Sequence, residues 1–117
     1  MSEYGDFCHD EFPDVKQISA TELYEKMKTE KYLLIDIREP ELFEQYHIDG
    51  QNQTIEQILE HQELVPFDKN VVLICENGSN SMAIIEELEK DPKFERLFNL
   101  KGGIQDWIAQ KLPLISK

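Results

Sequence analysis

Val71-Val72-Leu73-Ile74 is an unbroken apolar run that ends directly on Cys75. A strand with one wet face alternates apolar and polar residues. A continuous run, here opening on two β-branched valines, belongs to a strand covered on both faces. Tyr32-Leu33-Leu34-Ile35 repeats the pattern, Leu97-Phe98-Asn99-Leu100 gives a third such segment, and Val15 to Ile18 reads as a short fourth strand. Between them lie segments with helical period: Ala20, Leu23, Tyr24 and Met27; Leu42, Phe43 and Tyr46; Ile55, Ile58 and Leu59; Ile84, Ile85 and Leu88; Ile104, Trp107 and Ile108. Ser19-Ala20-Thr21-Glu22 and Thr54-Ile55-Glu56-Gln57 have the form of capping boxes, and Pro40 suits the first position of a helix. Strands and helices that alternate in this way predict an α/β fold, a mostly parallel sheet with helices on both faces.

The chain of 117 residues fits one domain, and its 40% apolar and 31% charged residues are a globular balance. Residues 1–14 are polar and acidic and read as a leader, leaving residues 15–117 as the domain. The 24 acidic against 12 basic residues give a formal net charge of -12. Such a surface repels phosphate backbones and anionic membranes, so neither nucleic acid nor membrane is an expected partner. Two cysteines, Cys8 and Cys75, are too few for a disulfide framework. His9, His47 and His61 show no metal-ligand spacing, so no metal is expected. With no signal-like apolar run at the start and no membrane-length segment, the expectation is a cytoplasmic protein with reduced thiols.

In an open parallel sheet, ligands bind beyond the carboxyl ends of the strands. Three segments leave such ends: Asp36 to Pro40, Cys75 to Ser81, and Lys101 to Gly103. Only the second carries a strong nucleophile. A cysteine between a buried strand and a helix start meets unpaired N–H groups and the positive end of the helix dipole, which favour a sulfur anion. A loop that curls those groups inward forms an anion nest, and Gly78 lets the backbone pass close to the sulfur. Ser79 and Ser81 would add hydroxyl donors. The competing reading of Cys75 is a small apolar residue that simply closes a core strand.

Four segments, in this order, resemble the rhodanese superfamily: Leu34-Ile35-Asp36-Ile37-Arg38-Glu39-Pro40, His47-Ile48-Asp49-Gly50, the stretch from Val71 through Cys75-Glu76-Asn77-Gly78-Ser79-Asn80 to Ser81, and Asn99-Leu100-Lys101-Gly102-Gly103-Ile104-Gln105-Asp106-Trp107. The resemblance implies a five-stranded, mostly parallel sheet with helices on both faces. It makes Cys75 the sulfur-carrying nucleophile, with Glu76, Asn77, Gly78, Ser79, Asn80 and Ser81 as its cradle. It puts Asp36 and Arg38 beside that loop as a charge pair that shapes it, with direct substrate contact by Arg38 as the lesser alternative. Gly102, Gly103 and Trp107 resemble the family's fold markers.

Departures from the family pattern narrow the chemistry. Where many active rhodaneses carry basic residues, this loop holds Glu76 and Asn80. A carboxylate next to the sulfur repels a dianion such as thiosulfate, with Lys101 from the neighbouring loop as a partial compensation. Related phosphatases have an arginine six positions after the cysteine, where Ser81 stands here. Phosphatase and arsenate reductase activity are therefore not expected.

The resemblance implies a sulfurtransferase that carries sulfane sulfur as a persulfide on Cys75 and needs no cofactor. Its donor would be a protein persulfide or a low-molecular-weight persulfide, with thiosulfate as a disfavoured third, and its acceptor a thiol, cyanide or a sulfur-acceptor protein. Two alternatives stay open: a non-catalytic rhodanese-like interaction module that binds a basic partner, and thiol redox chemistry with Cys8 as resolving partner.

Overall fold

The computed structural model describes residues 15–116. The acidic leader, with Cys8 and His9, lies outside the described residues. Thus the redox pairing of Cys8 with Cys75 also lies outside them. No helix among the described residues is long and apolar enough to cross a membrane.

In chain order the elements are β1 (Gln17–Ile18), α1 (Ala20–Lys26), β2 (Leu33–Asp36), α2 (Pro40–Gln45), β3 (Tyr46–His47), β4 (Gln51–Asn52) and α3 (Ile55–Glu60). A 3-10 turn follows at Gln62–Leu64, then β5 (Val71–Ile74), α4 (Ser79–Leu88), β6 (Leu97–Leu100), α5 (Gly103–Ala109) and β7 (Ile115–Ser116). Five strands form one sheet in the order β1-β6-β5-β2-β4, and every neighbouring pair is parallel. In the centre, Leu33 to Asp36 register with Val71 to Ile74, while Val71 to Leu73 register with Leu97 to Asn99.

Two cores result, one on each face of the sheet. Val71, Leu73 and Cys75 point with Ile35 and Leu97 toward α3 and α4, where Ile58, Ile84, Ile85 and Leu88 close over them. Val72 and Ile74 point the other way, with Leu34 and Leu100, toward Ala20, Leu23, Ile104 and Trp107 of α1 and α5. The alternation of strand side chains thus assigns Cys75 to the face that α4 covers.

Some expectations need correction. Leu42 and Leu59 are exposed, and α2 buries none of its residues. Ile108 is also exposed, so the buried stripe of α5 is Ile104 and Trp107, with the indole N–H donating to Pro113 O at 2.8 Å. Helical spacing marks a direction on a short helix but not how wide the buried stripe is. The strand read over Val15 to Ile18 reduces to Gln17–Ile18. Polar Gln51–Asn52 provides the edge strand β4, and β3 pairs antiparallel with β7 in a separate two-stranded sheet. Thr54 and Gln57 form both halves of a capping box, whereas Ser19 supplies one half by accepting from the Glu22 N–H at 3.1 Å.

Candidate active site

Cys75 follows the last residue of β5, and α5 fixes the backbone that carries it. Ile104 N–H donates to Cys75 O at 2.9 Å, and Gln105 N–H donates to Glu76 O at 3.1 Å. The first two carbonyls of the loop are therefore bonded to the start of α5. Gly78, at φ +93°, then turns the chain into α4 as its N-cap. That left-handed conformation strains any residue with a Cβ.

The turn aims donors at the sulfur. Gly78 N–H lies 3.0 Å from Cys75 Sγ and Ser81 N–H 3.4 Å, with Ser81 Oγ at 3.2 Å. Ser81, fully buried, also donates its hydroxyl to Asn99 Oδ1. Asn99 Nδ2 donates to Gln17 Oε1 at 2.8 Å, and Gln17 Nε2 contacts Met82 Sδ at 2.8 Å. A chain of polar groups thus runs from the edge strand β1 through the middle of β6 to the sulfur.

The other loop residues do different work. Ser79 does not point its hydroxyl at the sulfur; its Oγ and N–H both donate to Asn77 Oδ1, at 2.7 and 3.1 Å. That local turn outcompetes the more distant sulfur. Asn77 and Asn80 are exposed, and neither supplies a side-chain donor to Cys75. Glu76 is half-buried, with Oε2 accepting from Gln105 Nε2 at 3.3 Å and Oε1 3.8 Å from Arg38 Nη1.

Asp36 and Arg38 form a buried, two-pronged pair where β2 ends beside β5. Arg38 Nε lies 3.0 and 3.1 Å from the two Asp36 carboxylate oxygens, and Nη2 lies 2.9 Å from Oδ2. Nη2 also donates to Tyr46 O at 2.7 Å, and the guanidinium stands 5.1 Å from the Tyr46 ring centroid. Asn52 Nδ2 ties the same turn together by donating to the carbonyls of Asp36 and Arg38, at 2.9 Å each. Burial alone pulls the Arg38 guanidinium down, but its bonds and charge attraction to Asp36, reinforced by Glu76, hold it above its ordinary value.

Lys101 is exposed, and its ammonium forms no ion pair or hydrogen bond among the described residues. His47 stacks on Phe43 with ring centroids 3.8 Å apart and bonds Phe43 O at 2.7 Å, a local structural role. No cluster of His, Cys, Asp and Glu among the described residues has a metal-binding arrangement.

Three further positioning groups emerge from the fold. Gly103 is more than a fold marker: a Cβ there would come within 2.6 Å of both Cys75 O and Asn77 N. Gln17 and Asn99 read in sequence as strand residues. The signal for Asn99 is an amide in the middle of an otherwise apolar strand.

Residues 19–110 match the rhodanese-like domain. The chain belongs to that family. A crystal structure of a rhodanese-related protein from Thermoplasma volcanium is similar with a TM-score of 0.78 and 30% identity, covering 87% of this chain and 99% of that one. The thiosulfate sulfurtransferase GlpE of Coxiella burnetii is 27% identical over 95 residues, which cover 80% of this chain and 88% of that protein. The uncharacterized protein YqhL of Bacillus subtilis is 38% identical over 78 residues, 66% of this chain and 61% of that protein. The match thus spans less than two thirds of YqhL. The five-stranded parallel sheet of this rhodanese-like domain places Cys75 at the strand end that opens α4.

Proposed function

We propose that this rhodanese-like domain is a sulfurtransferase that carries sulfane sulfur on Cys75. The observation that carries the reading is the pair of backbone N–H groups, from Gly78 and Ser81, that donate to Cys75 Sγ at 3.0 and 3.4 Å. Amides at a helix start favour a sulfur anion, and the persulfide is such an anion. Family membership and the distant likeness to GlpE agree with it.

In the first half-reaction the Cys75 thiolate attacks the outer sulfur of a persulfide donor. The new bond joins Sγ to that sulfur, the donor's S–S bond breaks, and the donor leaves as a thiolate. In the second, an acceptor thiolate or cyanide attacks the outer sulfur of Cys75-S-S⁻. The acceptor gains the sulfur as a persulfide or as thiocyanate, and Cys75 returns as thiolate. This is covalent, ping-pong chemistry with no external oxidant. Glu76 favours a protein persulfide or a low-molecular-weight persulfide over thiosulfate as donor, and a sulfur-carrier protein would be a suitable acceptor.

A second reading has its own observation: Cys75 is only 3% exposed, and its neighbour in the loop is a carboxylate. A rhodanese-like domain that binds a basic partner without chemistry would tolerate both. Thiocyanate formation from a persulfide donor and cyanide separates the two. Sulfurtransfer requires production that depends on Cys75 and disappears in Cys75→Ser, whereas the module gives the same background with either protein.

A further inference from the structure

We infer that Glu76 is an internal anion seated on Arg38, and that this pair gates the Cys75 site by charge, turning away donors whose body is itself negative. The inference rests on the reading of Cys75 as a reactive thiol, and it assigns Arg38 an anion-binding capacity that the loop's own carboxylate occupies.

Arg38 has donors to spare. Its Nε and Nη2 are committed to Asp36 and to Tyr46 O, while Nη1 is buried without a hydrogen-bond partner. The nearby Glu76 Oε1, at 3.8 Å, is within ion-pair range but too far for a hydrogen bond. An Arg fork with one prong uncommitted suits a carboxylate or another oxyanion.

The two partners differ in freedom. The Arg38 side chain is 2% exposed and fixed on two sides, whereas that of Glu76 is 43% exposed and otherwise held by the 3.3 Å contact with Gln105. Glu76 is therefore the part that can swing away. The charged groups of this cluster are Asp36, Arg38 and Glu76, two negative and one positive, while Lys101 forms no pair with any of them. An incoming anion meets Glu76, the exposed member of a cluster with net negative charge, and an Arg38 already ion-paired. A donor on a neutral or cationic body meets no such penalty, so that is the substrate class the gate admits.

Glu76→Gln removes the charge, keeps the size, and leaves Arg38 Nη1 to an incoming anion. Two alkylating reagents that differ in charge read the effect directly on Cys75. Iodoacetate and iodoacetamide both form an Sγ–C bond and release iodide. Their rate ratio cancels any change in thiolate content, and mass mapping separates Cys75 from Cys8. The ratio of iodoacetate to iodoacetamide should rise about tenfold or more in Glu76→Gln, the scale expected for removing one nearby charge. Added sulfate should then slow iodoacetate in that variant and leave the wild-type rate unchanged. Glu76→Ala, which also drops the Gln105 contact, should show the same rise. An unchanged ratio, a rise without sulfate competition, or no reaction of native Cys75 with either reagent overturns the gate. Because alkylation needs no sulfur donor, a gate that responds in a protein forming no thiocyanate would sink the transfer reading alone.

Discussion

Gly103 lies directly against the backbone of Cys75: a Cβ built on it would stand 2.6 Å from Cys75 O and 2.5 Å from Glu76 O. The loop that holds the sulfur is thus shaped from behind, by the start of α5, as well as by its own residues. The two carbonyls that α5 captures leave the following amides free to face Sγ.

Gly103→Ala should therefore be costly. At φ +65° an L-residue is strained, and the atoms it would meet are backbone atoms that cannot rotate aside. A loss of about 2 kcal/mol or more is expected, since left-handed strain alone costs about 1–3 kcal/mol. Urea unfolding measures it. Stability within a few tenths of a kcal/mol of wild type would contradict this packing.

Ser81 and Asn99 should be coupled. Ser81→Ala leaves buried Asn99 Oδ1 without its donor, and Asn99→Leu leaves the Ser81 hydroxyl without its acceptor. Each single change should cost about 1–3 kcal/mol, the penalty of a buried polar group left unpaired. The double variant should cost less than their sum, because neither Ser81 nor Asn99 then leaves the other unpaired and only Gln17 Oε1 loses its donor, with a coupling of about 0.5–3 kcal/mol. Strict additivity in a double-mutant cycle would argue against the relay.

Asp36→Asn removes the principal counter-charge of a buried guanidinium and should destabilise by about 3–5 kcal/mol. The pH dependence follows from the direction of the Arg38 shift. A base whose folded value is raised gives stability that is complete below its unfolded value and is lost only above the folded one. For Arg38 that window lies beyond mildly alkaline solution. The gap between wild type and Asp36→Asn should hence stay constant from neutral to mildly alkaline pH. A gap that closes over that range would show that Arg38 is not the group being paired.

How far the sequence revealed this arrangement follows from burial. The strands β2, β5 and β6 stand out because partners flank them on both sides and helices cover both faces, which demands nearly unbroken apolar residues. Gln17–Ile18 and Gln51–Asn52 pair along one edge only and need no such run, so no apolar pattern marks β4 or sets the length of β1. Pairing of Tyr46–His47 with Ile115–Ser116 depends on the chain returning from its far end, which no local pattern encodes. At the site, the Cys75 loop was visible as strand, thiol, glycine turn and helix in succession. Gln17 and Asn99 were not, because they meet across 82 positions of sequence, and Asn99 reaches Ser81 across 18. Ser79 and Ser81 looked equivalent as donors; only the fold reveals that Asn77 captures the first.

The intact mass of the protein after brief exposure to a persulfide donor, with excess donor removed, tests the sulfur-carrier reading most directly. Wild type should gain the mass of a single sulfur atom, placed on Cys75 by peptide mapping, lost on addition of cyanide and absent from Cys75→Ala. A folded wild-type protein that gains no sulfur, or gains it equally in Cys75→Ala, would contradict the assignment of Cys75 as the carrier.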